Sequence, residues 1–318
     1  MLQANGITLH VQRLDPAPPS ADRSAPTRTG PAGPPPDPGA AGVQQAGATG
    51  PQPVGPAGPL PTAVLIHGMA SDTMASWYFT LAEPLAGAGF PVVLYDLRGH
   101  GRSERPATGY ALDDFVDDLA ALLDELGITG PLLLLGNSFG GTIAFGYAAR
   151  HPERVAGIVA VESAPPIEDW MVRVKQRLNR VATRLPQEGA VAEIGMRRGR
   201  IAGRRAAETS RMLTTTSLAE ELPASRLPAV DQLAAIGCPV LCLYGGRSAV
   251  VELAPAVRLL LPQTRTVVLP EEKHTVLIDQ PNRVRGHVFG WLAAECGLPV
   301  EGGLPVDRGL AVDQPTTT

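Results

Sequence analysis

Gly136-Asn137-Ser138-Phe139-Gly140-Gly141 follows directly on the apolar run Pro131-Leu132-Leu133-Leu134-Leu135 and leads into a helix-like stretch from Thr142 to Arg150. A buried strand, then Gly-x-Ser-x-Gly, then a helix is the setting in which a serine is held on a tight, strained turn as a nucleophile. The glycines have a steric reason, because side chains flanking the serine would collide with neighbouring backbone in so sharp a turn. The motif alone is weak in a chain with 35 glycines among 318 residues. Its position between strand and helix is what makes Ser138 a candidate nucleophile rather than part of a glycine-rich turn without chemistry.

Outward from this turn, short apolar runs alternate with helical patterns. Residues 7–14 alternate as a strand, and Ala63-Val64-Leu65-Ile66 reads as a buried strand ending at His67-Gly68. A helix is expected from about Ser76 to Ala88, then a strand over Pro91 to Tyr95. From Asp113 to Leu126, Phe115, Leu119, Leu122 and Leu123 form one apolar stripe with carboxylates opposite. Further strands are expected at 156–161, 239–244 and 266–269, with helices near 252–261 and 282–295. Strands alternating with helices predict an α/β protein whose mostly parallel, doubly wound sheet of about eight strands is covered on both faces.

Three segments break this pattern. Residues 15–61 hold 14 prolines and 8 glycines and almost no large apolar side chain, too little to offset the entropy of ordering. They read as a disordered insertion between core strands, without the three-residue glycine period of collagen. Residues 165–236 read as an inserted helical cap, and Arg173 to Arg211 carries 11 Lys/Arg against 3 Glu. Residues 297–318 read as a flexible tail. The core is then 1–14, 62–164 and 237–296.

Net charge is −4, so no bulk attraction to nucleic acid or an anionic membrane is expected. No apolar run approaches the roughly 18 residues of a membrane span, and the start lacks the basic and apolar regions of a secretion signal. A cytoplasmic protein is expected. Cys238, Cys242 and Cys296 are odd in number and read as free thiols, with no spacing for zinc; no metal or cofactor is implied.

With these motifs in order, the chain resembles the α/β-hydrolase superfamily over nearly all its length except 15–61 and the tail. The resemblance rests on His67-Gly68 after a strand, Asp96-Leu97-Arg98-Gly99-His100-Gly101-Arg102-Ser103, the turn at Ser138, and His274 after the last strand. Within the superfamily, Ala75-Ser76-Trp77-Tyr78-Phe79-Thr80 and Val93 to Gly101 look like the hydrolases and thioesterase-like proteins of bacterial polyketide pathways. The resemblance implies His274 as general base for Ser138, a role that an imidazole with an ordinary pKa near 6.5 suits. It also implies an oxyanion hole from the backbone N–H groups of Met69 and Phe139. His67 and His100, with Asp96, Arg98 and Ser103, are implied to be structural, bracing loops.

The third member departs from the family pattern. The commonest acid is an Asp within Gly-x-x-Asp after the seventh strand, where this chain has Gly245-Gly246-Arg247-Ser248. A neutral hydroxyl cannot stabilise an imidazolium. Some family members place the acid at the end of the sixth strand, which here is Glu162. A carboxylate ending an apolar strand is otherwise hard to account for; a rim carboxylate bound by arginine or solvent is the bland alternative, and Glu168 and Asp169 are further candidates at the start of the cap. The expected function is a serine hydrolase of esters or thioesters, releasing a polyketide-type acyl chain from an acidic carrier protein docked on the basic cap. Ser138 excludes the Asp-nucleophile chemistry of epoxide hydrolases and dehalogenases. A carbon–carbon bond hydrolase, or a non-hydrolytic protein that binds or cyclises a polyketide-like ligand, remain as alternatives.

Overall fold

The computed structural model describes residues 1–16 and 59–296. The expectations for the Pro/Gly-rich stretch, over nearly all of it, and for the tail fall outside these residues. The chain opens with β1 (Leu2–Ala4) and β2 (Ile7–Leu9), an antiparallel ribbon turned by Asn5-Gly6. Both turn residues have positive φ, 49° and 75°, as a two-residue hairpin of matching twist requires. The single strand expected over 7–14 breaks at His10, and β3 (Val11–Leu14) joins a different sheet. His10 causes the switch: its N–H donates to Ser103 Oγ at 2.9 Å, its carbonyl accepts from Asp96 N–H at 2.9 Å, and its ring meets Asp96 Oδ2 at 2.8 Å.

β4 (Thr62–Ile66) follows, then a helical run made of α1 (Ala75–Trp77), a wider π-type turn (Tyr78–Ala82) and α2 (Glu83–Gly87). Pro84 lacks an N–H and would crowd the carbonyl four residues back, which accounts for the widened turn before it. Next come β5 (Val92–Tyr95), α3 (Leu112–Glu125), β6 (Leu132–Asn137), α4 (Phe139–Arg150) and β7 (Val155–Val161). Between β7 and β8 lie α5 (Glu168–Arg184), α6 (Ala190–Arg198), α7 (Arg200–Thr215), α8 (Leu218–Glu221) and α9 (Val230–Ala234). The chain then forms β8 (Val240–Gly245), α10 (Ala254–Leu260), β9 (Thr264–Leu269), α11 (Val276–Asp279) and α12 (Pro281–Glu295).

The central sheet has seven strands in the order β3-β5-β4-β6-β7-β8-β9, with β3 antiparallel to β5 and all other pairs parallel. The expectation is about eight strands; each of the seven apolar runs supplies one strand of this sheet, and the 7–14 segment also gives its first part to the separate ribbon. Side chains along the inner strands divide by period two. Val64, Ile66, Leu132, Leu134, Ile158, Ala160, Val240 and Cys242 face a core shared with α3 and α4. Ala63, Leu65, Leu133, Leu135, Val159, Val161, Leu241 and Leu243 face a second core that includes Trp77, Val288 and Trp291. Burial on both faces is why these strands read as unbroken apolar runs.

The helical insert joins the first core. Trp170, Met171 and Leu178 of α5 are buried there, and Trp170 Nε1 donates to Thr142 Oγ1 of α4 at 2.6 Å. Strand direction decides where the polar residues gather. β4 is paired by β5 on one side and β6 on the other, so the connections from β4 and from β6 run in opposite directions. The crevice outside the carboxyl ends at such a switch point is where open α/β sheets place ligands. Ile66 pairs with Gly136, Asn137 with Val161, and Gly245 with Leu269, so the residues following each strand meet at one edge.

Candidate active site

Ser138 follows β6 at φ 51°, ψ −121° and begins α4. The turn is tight enough that a Cβ on Gly136 would overlap the backbone of Gly140 and Gly141, and one on Gly140 would overlap the backbone of Ile66 and His67. The steric expectation for the glycines is met by these contacts. Ser138 N–H donates to Val161 O at 2.8 Å, which ties the turn to the end of β7.

Glu162 follows directly on the end of β7. It also has positive φ, 54°, and it is fully buried. Its carboxylate accepts hydrogen bonds from Gly245 N–H and from Ser248 Oγ. The third partner is His274 Nδ1, 2.8 Å from Oε2. On the far side of the ring, His274 Nε2 lies 3.1 Å from Ser138 Oγ. The imidazole therefore bridges serine and carboxylate, with its side chain 25% exposed against 0% for Glu162. Nδ1–H donates to the carboxylate, which leaves Nε2 as the acceptor facing the hydroxyl. Glu168 and Asp169 instead begin α5 in the first turn, where carboxylates suit the helix dipole.

Ser248 belongs to this arrangement in a way the sequence reading did not foresee. The position left without an Asp supplies a hydroxyl donor to Glu162, so the two alternative acid positions are neighbours. Burying a carboxylate is costly unless its oxygens are hydrogen-bonded, and Gly245 N–H, Ser248 Oγ–H and His274 Nδ1–H supply the donors. The signal available beforehand was the polar Ser248 in the family's acid position.

Met69 and Phe139 each keep a backbone N–H that donates to no partner among the described residues. The Gly68 N–H, by contrast, is taken by Asp72 Oδ2 at 2.7 Å. The same oxygen accepts from Asn137 Nδ2 at 3.1 Å, and Oδ1 accepts from Thr73 N–H at 2.9 Å. Asp72 thus clamps the loop after β4 to the residue before Ser138; sequence reasoning missed it, since an acidic residue in a loop carries no motif.

Two imidazoles hold that loop from behind. His67 donates from Nδ1 to Gly68 O at 2.6 Å and accepts Leu97 N–H at Nε2, 2.9 Å. His100 donates from Nδ1 to Arg98 O at 2.8 Å and accepts Ala70 N–H at Nε2, 3.0 Å. Each ring needs one donor and one acceptor nitrogen. Burial, followed by the neighbouring His67 ring, pushes the His100 pKa down to about 4. Asp96 serves the same loops, accepting from Met74 N–H at 3.0 Å and Arg102 N–H at 3.0 Å. Burial works against its ionised form, but these hydrogen bonds and His10 outweigh it and hold the carboxyl below the usual range. Arg98 Nε donates to Asp118 Oδ2 at 2.6 Å, and Ser103 Oγ donates to Asp96 O at 2.5 Å. These residues brace loops, as the resemblance implied.

Among the described residues, three of the four non-glycine residues at positive φ, Ala70, Ser138 and Glu162, lie at this edge. Backbone strain of that kind costs of order 1–3 kcal/mol per residue and persists where surrounding contacts over-determine it. The three cysteines lie apart from this chemistry. Burial pushes Cys242 to about 12 and Cys238 to about 11, so both stay protonated at neutral pH. Among the described residues no group of His, Cys, Asp and Glu is arranged to hold a metal, and no helix is long and apolar enough to cross a membrane.

Comparison with known proteins places the geometry in context. A family model described as alpha/beta hydrolase fold matches residues 61–281, more than half of the chain. The chain is 34% identical over 111 residues to a 2-(acetamidomethylene)succinate hydrolase of Mesorhizobium japonicum, covering 34% of this chain and 37% of the relative. It is 41% identical over 102 residues to a 2-hydroxymuconate semialdehyde hydrolase of a Pseudomonas species, covering 32% and 36%. The matched stretches span well under half the length of these relatives. In three dimensions it is similar to a structure solved in a study of carboxylesterases from the thaumarchaeon Nitrososphaera gargenis, with TM-score 0.58 and 28% identity over 73% of this chain and 90% of that one.

Proposed function

The chain belongs to the alpha/beta hydrolase fold family, and we propose that within it this protein is a serine hydrolase that cleaves an ester or thioester through an acyl-enzyme. The observation that carries this reading is the single imidazole of His274 set between Ser138 Oγ at 3.1 Å and Glu162 Oε2 at 2.8 Å. In the proposed cycle Ser138 Oγ attacks the acyl carbon while His274 Nε2 takes its proton. Glu162 stabilises the imidazolium through Nδ1–H, and the Met69 and Phe139 N–H groups receive the oxyanion. The imidazolium protonates the leaving group, and water then releases the acyl chain by the same route in reverse.

The finer reading is a polyketide-type acyl chain delivered by an acidic carrier protein. It is supported by the charge of the helical insert, which we read as a cap over residues 165–236, with 11 Lys/Arg against 3 Glu between Arg173 and Arg211 in an acidic chain. A second reading, hydrolysis of a carbon–carbon bond by the same serine, is favoured by the likeness to the 2-hydroxymuconate semialdehyde hydrolase. Labelling with a fluorophosphonate tests the common core. Adduct at Ser138, lost in His274→Ala and strongly slowed in Glu162→Gln, is the expected result; absence of labelling in well-folded protein would favour a ligand-binding or cyclising role instead.

A further inference from the structure

The face of α5 that carries charge is built as a track. Arg173, Arg177, Arg180 and Arg184 recur at intervals of four, three and four residues, which stacks them along one side of the helix over about 16 Å. At one end Arg173 donates to Ala249 O at 3.0 Å and to Glu252 at 2.8 Å, one residue beyond Ser248 and its bond to Glu162. At the other end Arg180 and Arg184 form one wall of a groove of about 280 Å³, with Arg197 and Arg198 of α6 opposite. Val181, Leu185 and Ile194 give the groove an apolar floor, and Glu193 places one carboxylate among its four arginines.

Its charges are scarcely compensated. Arg197 pairs with Glu193 at 3.0 Å, whereas Arg177, Arg180, Arg184 and Arg198 have no side-chain hydrogen bond or ion pair among the described residues. Arg177, between the two ends, is exposed as a whole residue, yet its guanidinium is partly desolvated. That burial lowers its pKa, Arg180 lowers it further, and the charge of Glu162 opposes both. Arg177 therefore stands within electrostatic reach of Glu162. A solvated helix face would scatter its arginines or answer them with carboxylates at i+4; this one lines a cavity and runs toward the site.

We propose that the groove between α5 and α6 is a phosphate-binding subsite for the leaving-group arm of the substrate. The arm is a phosphopantetheine thioester, whose phosphate sits among Arg180, Arg184 and Arg198 while its thioester end reaches Ser138 along Arg177. Guanidinium groups suit this, because their planar donors bind phosphate oxygens in pairs, and the apolar floor accepts the hydrocarbon part of the arm. The inference rests on the thioester reading above but is separable from it.

Acetyl-phosphopantetheine is compared with its dephosphorylated counterpart, acetyl-pantetheine, as substrate. The wild-type protein is expected to favour the phosphorylated thioester in kcat/KM by about tenfold or more, with the gain shrinking as salt rises. The Arg180→Ala, Arg184→Ala double variant is expected to lose the preference; a ratio within one preparation is insensitive to partial misfolding. Acetyl-coenzyme A and an acetylated carrier protein form two further arms, and the larger gain names the source of the phosphate. Calorimetry on the Ser138→Ala protein decides the groove independently of turnover. Phosphopantetheine binding at least about tenfold tighter than pantetheine supports it, and equal binding, or equal turnover of the two thioesters, overturns it.

Discussion

Glu162 leaves its strand at φ 54° with its carboxylate wholly enclosed, and three donors converge on it. Glu162→Gln keeps the shape and removes the charge that would stabilise the imidazolium, so kcat on a small ester is expected to fall by about 10²- to 10⁴-fold with KM little changed. Steady-state kinetics checks this; a loss carried by KM would assign Glu162 to binding. The neighbouring Ser248 allows a stronger test. Ser248→Asp alone would crowd two carboxylates and is expected to lower activity. Combined with Glu162→Ser it moves the acid to the position usual in the family, and the double variant is expected to exceed both single variants in kcat. The sequence singled out Ser138, His274 and Glu162 by their places after strands, and the structure brings the three side chains together. The roles of Ser248 and Asp72 were not legible, since what they do depends on hydrogen bonds between segments far apart in the chain, such as Asp72 with Asn137.

At the scale of elements, the buried ring of His100 holds the loop after β4 through Ala70 N–H, and that has a pH consequence. His100 stays neutral in the fold down to about pH 4, while the unfolded chain takes up its proton below about 6.5. Between those values the unfolded state binds more protons, so this contribution to stability is present above about pH 6.5 and is lost as pH falls to about 4. The full amount is on the order of 3 kcal/mol. Urea unfolding at a series of pH values is expected to show a steeper fall for the wild type than for His100→Gln across that window, and parallel curves would contradict it. The turn at Ser138 gives a second expectation. Gly140→Ala would drive a Cβ into the backbone of Ile66, so it should destabilise the fold by at least about 2 kcal/mol, read from the same denaturation curves. Apolar runs located the strands because both sheet faces are buried. They did not locate the break at His10 or the wide turn before Pro84, because a hydrogen bond to a distant loop and a missing N–H leave the apolar pattern unchanged.

At the scale of the whole molecule, parallel strands carry residues from positions 67 to 274 to one edge of one sheet. That is why the order of motifs along the chain foretold the architecture, while their pairwise distances and the groove between α5 and α6 had to come from three dimensions. The count of 11 Lys/Arg against 3 Glu marked the insert as basic, but not that α5 and α6 would bring Arg180, Arg184, Arg197 and Arg198 to one groove. On the proposed mechanism this edge works as a covalent catalyst at Ser138. Intact-mass spectrometry during turnover of an acyl thioester, with peptide mapping of the trapped species, tests it most directly. A mass increase equal to one acyl group, located on Ser138, is expected in the wild-type protein and is expected to be absent from His274→Ala. Turnover with no acylated protein at any time, or an acyl group located on another residue, would contradict it.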